Sequence, residues 1–220
     1  MHLENVVFDA VDPGALGRFW ESRLGTETLT DAPEGFETRL AIPGWPFLDL
    51  CFQRVPELPT APQRLRLDLR EEEAGDDDPL ADLLADPEGN AFGVLGGAAS
   101  YDDTGPLAAL VLESADPSRD LDFWAWLTGW APAGRSGAVL RHPSRHGPVL
   151  GLVPEQAPKG SEKNRIHLDV RLAAEDDADA VREAIADLGG RELHLGYGDL
   201  PWRHYADPSG NELCVLRAPA

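Results

Sequence analysis

The sequence predicts an α+β protein built twice in tandem, and three repeated blocks carry that reading. "VVFDAVDPGALGRFWESRLG" (6–25) matches "LVLESADPSRDLDFWAWLTG" (110–129). Asp12-Pro13 falls on Asp116-Pro117, Phe19-Trp20 on Phe123-Trp124, and Gly25 on Gly129. "RLRLDL" (64–69) matches "RIHLDV" (165–170), and "ADPEGNAFGVL" (85–95) matches "ADPSGNELCVL" (206–216). Three blocks in one order mean duplication, and a fixed internal repeat outranks any single-element assignment. The copies are expected as domains at 1–97 and 106–220, joined by a polar, Gly-rich linker at 98–105.

Each copy opens on an apolar strand, 3–10 and 107–114. Asp-Pro then starts a helix, with Asp as N-cap and Pro at the first helical position. The helices run 13–24 and 117–128 and place Phe-Trp on the buried face, so Trp20, Trp124 and Trp126 are expected in the core. Strand-like runs follow around 36–42 and 46–53, then 137–141 and 148–154, and then the paired hexamers. The second copy continues with "AAEDDADAVREAIADLGG". Its Ala180, Val181, Ala184, Ile185 and Leu188 fall at helical spacing, giving a helix at about 174–188 stopped by Gly189-Gly190. Strands near 191–195, 200–206 and 211–216 close the chain. "DPEGN" and "DPSGN" read as tight turns, because Pro fixes φ and Gly-Asn tolerates left-handed conformations.

The repeat is unequal. Its offset is 101 at the hexamers and 121 at the final block, so the first copy is 20 residues shorter between them. Against the second copy's helix it has only "EEEAGDDDPLADLL", and has lost about a helix and part of a strand.

The totals narrow the function. In 220 residues the net charge is −20, which would repel nucleic acid and anionic membranes. No apolar run approaches the roughly 20 residues of a membrane helix, and "MHLENVVFDAVDP" lacks the features of a signal peptide. A cytoplasmic protein, monomer or homodimer, is expected. Two cysteines make no disulfide framework, and Cys51 and Cys214, in apolar runs, read as buried free thiols. Phosphate-binding glycine loops, a G-x-S-x-G elbow and Cys-Cys zinc spacing are all missing from the sequence, so nucleotide cofactors and serine hydrolysis have no support.

A strand–helix–strands unit repeated within each copy and ending in "DPxGN" plus an apolar strand resembles the vicinal oxygen chelate superfamily. This is the group of glyoxalases, bleomycin-resistance proteins and extradiol dioxygenases. "NRIHLDV" and "ADPSGNELCVL" are the most specific stretches, and the likeness covers nearly the whole chain. It implies glyoxalase-like domains of βαβββ units, with curled mixed sheets around a cleft and helices outside. It implies a small organic ligand or substrate, with a lyase or dioxygenase relative as one function and a ligand-sequestering protein of the bleomycin-resistance type as the alternative. In metal-dependent relatives the cleft holds a divalent cation that chelates adjacent substrate oxygens and polarises them.

Placed on this chain, the family's ligand positions divide between the copies. The second copy offers His167 and Glu212, good ligand types for a zinc, nickel or iron class ion, but Ala109 and Gly151 stand at its other two positions. The first copy offers Asn5 and Asp49 but has Arg66 and Ala91 in place of the others. The resemblance permits a shared cleft, with Asn5, Asp49, His167 and Glu212 in one set and a metal-free cleft containing Arg66. No cofactor is the first expectation and one divalent ion the second. Without metal, His167 and Glu212 are expected to hydrogen-bond across neighbouring strands, as a structural pair or as donor and base. Trp202, His204 and Tyr205 are candidates to line a cleft and bind its ligand, as is Arg66 in the other cleft, with "GYGDLPW" across the mouth. His142 and His146 read as a solvated hairpin tip, and Trp45 as an exposed turn residue.

Overall fold

The computed structural model describes residues 1–71, 83–96, 101–133, 137–196 and 198–219. The first copy supplies β1 (His2–Ala10), α1 (Pro13–Leu24), β2 (Glu27–Ala32), β3 (Gly35–Leu40), β4 (Leu48–Arg54), β5 (Leu65–Arg70), β6 (Leu84–Ala85) and β7 (Ala91–Leu95). The second supplies β8 (Leu107–Ser114), α2 (Pro117–Thr128), β9 (Ala131–Pro132), β10 (Ala138–Arg141), β11 (Val149–Pro154), β12 (Ile166–Arg171), α3 (Ala178–Asp187), β13 (Arg191–Leu193), β14 (Trp202–Ala206) and β15 (Glu212–Leu216).

Sheet membership crosses the copy boundary. An eight-stranded sheet runs β13-β14-β15-β12-β1-β4-β3-β2, and a seven-stranded sheet runs β6-β7-β5-β8-β11-β10-β9. The first half of copy one therefore pairs with the second half of copy two, through antiparallel β1 and β12. The remaining halves pair through β5 and β8. The helix α1 packs against β3 and β4, and α2 against β10 and β11.

The repeated motifs hold this exchange together. Asp12 and Asp116 cap their helices by accepting from Ala15 N and Arg119 N. Gly25 and Gly129 end them at φ of 63° and 71°, left-handed values that glycine adopts without strain. The Trp20 indole N–H donates to Asp86 at 3.1 Å, and that of Trp124 to Asp207 at 3.2 Å. Each bond ties a helix on one sheet to the DPxGN turn of the other, so the Phe-Trp and DPxGN motifs act as one joint. The hexamers' leading arginines lock the copies to one another. Arg64 donates to Asn211 Oδ1 at 2.7 Å, in the second copy's turn, and Arg165 donates to Glu88 O at 2.7 Å, in the first copy's turn.

The core is continuous between the sheets, with Phe8 stacked on Phe52 at 4.8 Å and Trp20 edge-on to Phe92 at 5.4 Å. Trp20 and Trp124 are buried as expected. Trp45 and Trp126 exchange their expected places. Trp45 is buried against Trp130 and over Gly147, because the loop before β4 reaches the β10–β11 turn. Trp126 is 37% exposed, since Phe123, Trp124 and Leu127 already fill the inward face of α2.

Strand β2 carries no sequence signal, because all six of its residues are exposed and no alternation marks it. α3 begins later than the spacing implies, because Asp177 caps it through the N–H groups of Asp179 and Ala180. The first copy's shortened stretch falls mainly on 72–82, outside the described residues. No described helix is long and apolar enough to cross a membrane.

Candidate functional site

Side chains on alternate strand positions share a face, and register across the eight-stranded sheet lines them into rows. One row is Arg39, Asp49, Asn5, Asp169, Cys214 and His204, on β3, β4, β1, β12, β15 and β14. The next is Glu37, Cys51, Val7 and His167. Apart from Arg39 and Asp49 at its edge, these rows line the floor of a cavity of about 920 Å³. Leu195, Leu200, Pro201 and Trp202, from the loop between β13 and β14 and the start of β14, make an apolar wall at one end. A concave apolar site with a few convergent polar groups is the usual form of a small-molecule cleft.

At the centre of the floor His167, Asp169 and Cys214 present ligand atoms within 4.8 Å of one another. All three are buried. His167 Nε2 lies 3.6 Å from Cys214 Sγ and 3.4 Å from Asp169 Oδ1. Both neighbours approach the same ring nitrogen. In a Cys–His–Asp relay they would approach opposite nitrogens, so this is not a relay, and the three ligand atoms instead face one point. Asn5 Nδ2 donates to Asp169 Oδ2 at 3.3 Å. Asn5 Oδ1, His167 Nδ1 and Asp169 Oδ1 are buried with no hydrogen-bond partner in the structure. Each such group costs about 1–3 kcal/mol unless satisfied, and a cation at the centre of the cluster would satisfy Asp169 Oδ1. An N, O, S donor set suits a borderline-soft ion such as zinc. The residues present therefore fit a divalent cation.

Burial raises the thiol pKa of Cys214, and the Asp169 carboxylate raises it further. Burial, then the Glu37 charge, does the same for Cys51. Neither thiol is a ready nucleophile without a cation to stabilise its thiolate. His204 is held below the usual histidine range by burial first and then by His167 and Lys163, and its Nε2 accepts from the Trp202 indole at 3.2 Å.

The structure brings together some of the sequence candidates and separates others. Asn5 and His167 meet at the floor. Asp49 is in register beside Asn5 but does not line the cavity, and its carboxylate is taken by two Arg39 hydrogen bonds of 2.7 Å each. Glu212 does not bond His167 across the strands. Its oxygens accept from Lys159 Nζ at 3.0 Å and Asn164 N at 3.2 Å, which ties down the loop before β12. Cys214, two residues further along β15, takes the place beside His167. Trp202 and His204 line the cleft. Tyr205 is 1% exposed in the core, because adjacent strand residues face opposite sides. Arg66 lies in the other sheet, where it pairs with Asp68 at 2.7 Å. His142 and Ser144 hydrogen-bond within the β10–β11 turn, as a hairpin tip should. Of the stretch "GYGDLPW", Leu200, Pro201 and Trp202 border the cleft, and Tyr197 lies outside the described residues.

The sequence profile of a family described as a glyoxalase-like domain matches residues 5–77 and 109–216. The chain belongs to this family. It is a glyoxalase-like protein of the vicinal oxygen chelate superfamily, with two such domains built from βαβββ units. Glyoxalase I from Zea mays has the same fold at 16% identity and a TM-score of 0.66, over 98% of this chain and 92% of that one. The cppA protein from Streptococcus pneumoniae follows at 13% identity and a TM-score of 0.52, over 99% and 98%. No curated protein matches the sequence. In this glyoxalase-like chain Asp169, Cys214, Glu37 and Lys163 are cleft residues that sequence reasoning passed over. The signal for the first two was alternation, since Asp169 stands two residues from His167 and Cys214 two from Glu212.

Proposed function

We propose that this glyoxalase-like protein binds a small organic molecule in the cleft of its eight-stranded sheet, over one divalent cation of the zinc class held by His167, Asp169 and Cys214. The carrying observation is the convergence of three buried ligand atoms within 4.8 Å on the floor of that cavity. Asn5 Oδ1, buried and without a partner, is the fourth candidate donor. When bound, such a cation acts as a Lewis acid on a ligand oxygen. The chain's own part is positional. Asn5 orients Asp169 through its 3.3 Å hydrogen bond. Lys159 and Glu212 tie down the loop before β12, whose Lys163 lines the cleft. Trp202 and its leucine neighbours exclude water from the apolar end.

Metal analysis of protein purified without chelator, with zinc equilibrium dialysis, tests this reading. We expect close to one equivalent of metal in the wild type, and a loss of at least tenfold in zinc affinity in His167→Ala and in Cys214→Ala. Wild-type zinc affinity in both variants would sink the proposal. Ligands recovered after incubation separate turnover from sequestration, because an enzyme returns them altered and a sequestering protein returns them unchanged.

A further inference from the structure

Beyond the metal cluster, the same cleft has a second polar end. Glu37 lies on β3, and Cys51 and Val7 stand between it and His167 in one row across four strands. At about 4.8 Å per strand spacing, its backbone is roughly 14 Å from that of His167. Glu37 lines the cavity. Its partners are neutral, the Cys51 thiol at 3.6 Å on Oε1 and the Thr30 hydroxyl at 3.5 Å on Oε2.

Of the cleft's cations, Lys163 and Arg171 are paired with carboxylates. Lys163 pairs with Asp9 at 2.6 Å. Arg171 is bidentate to Glu4. Arg39, the charged neighbour two residues along β3, is bidentate to Asp49. Arg54, at the rim, is exposed and donates to the carbonyls of Pro33 and Val11. Among the described residues Glu37 makes no ion pair, and Arg39, the guanidinium that feels its charge, is held by Asp49. The opposite end is the apolar wall of Leu195, Leu200 and Trp202.

We infer that the cleft selects an amphipathic organic cation, lying with its apolar body toward Trp202 and a protonated amine at Glu37. This rests on the cleft being the ligand site, as proposed above. A charge-assisted N–H···O bond in a part-buried setting discriminates strongly against neutral or anionic ends. The protein's net charge of −20 adds a field that draws cations in.

Three probes with one body and different ends test this: 6-phenylhexylamine, 6-phenylhexanol and 6-phenylhexanoate, titrated by calorimetry. We expect the amine to bind at least tenfold more tightly than the alcohol, and the acid most weakly. Glu37→Gln should remove about tenfold from the amine and leave the alcohol unchanged, while Trp202→Ala should weaken the amine and the alcohol alike. The inference is overturned if none of the probes binds, if the acid binds as tightly as the amine, or if Glu37→Gln leaves the amine's affinity unchanged. Failure of the metal reading is distinguishable, since amine selectivity that survives in metal-free His167→Ala removes the cation and leaves this inference standing.

Discussion

Arg64 is the most heavily engaged side chain between the two copies, and its removal has a calculable cost. It is 5% exposed. Its guanidinium donates to Asn211 Oδ1 at 2.7 Å, Ala157 O at 3.1 Å, Glu113 O at 3.3 Å and Glu155 Oε2 at 2.8 Å. In Arg64→Met the apolar stem is kept and all four bonds are lost. Asn211 Oδ1 retains Asn164 Nδ2 at 3.3 Å, but the Glu155 carboxylate, 16% exposed, loses its cation. Breaking a buried pair by removing one partner costs about 3–5 kcal/mol. We expect that loss in urea unfolding followed by tryptophan fluorescence. Adding Glu155→Gln should return about 1 kcal/mol or more, because it neutralises the stranded carboxylate. Arg165→Met is the control. The equivalent arginine has one recorded bond, to Glu88 O, and its loss should cost only about 1 kcal/mol. A loss under 1 kcal/mol for Arg64→Met, or equal losses for the two arginines, would refute the view that Arg64 locks the copies.

Three further outcomes follow from the fold. Because each sheet draws strands from both copies, fragments 1–97 and 106–220 should each give poor amide dispersion alone and recover native-like spectra when mixed; two independently folded fragments would contradict the exchange. Gly17→Ala should destabilise by about 1–3 kcal/mol although alanine is the better helix former, because the new Cβ would stand 2.1 Å from Phe36 Cδ1 in the core; thermal melts of the two proteins measure it. Burial opposes ionisation of Glu4, but hydrogen bonds from His2 and Arg171 outweigh it and hold the carboxyl down at about 2. A depressed carboxyl contributes stability that is present above its unfolded value of about 4.5 and lost as pH falls from there through 2; Glu4→Gln should flatten the melting temperature over that window.

Most of the architecture was legible because it rests on local rules. Asp-Pro caps, Gly stops and DPxGN turns act through backbone chemistry a few residues long, and the duplication states each of them twice. β2 was illegible for the converse reason, since a wholly exposed strand shows no alternation. The site was legible in its strands but not in all of its residues. Asn5, Asp49, His167 and Glu212 do lie on the four strands β1, β4, β12 and β15 of one sheet. Which side chain on β15 reaches His167 depends on twist and register, and there a step of two residues separates Glu212 from Cys214. Whether a carboxylate on these strands is available depends on its neighbours. Asp49 is committed because Arg39 stands beside it in register, and Glu37 is not, because Cys51 stands beside it instead.

The two hexamers then differ for a reason that register makes concrete. In "RIHLDV" the pair His167 and Asp169 faces Cys214, and the three ligand atoms converge with no cation of the chain's own among them. In "RLRLDL" the same two positions are Arg66 and Asp68, and Asp68 is registered against Gly93. Arg66 donates to both oxygens of Asp68, and Gly93 N donates to the same carboxylate. The seven-stranded sheet thus carries its positive charge covalently and satisfies its own aspartate. The eight-stranded sheet leaves buried acceptors unsatisfied at the matching place. The two sheets thus present equivalent positions with opposite charge balance: a guanidinium fills the place in one, and an imidazole beside unpartnered acceptors stands there in the other.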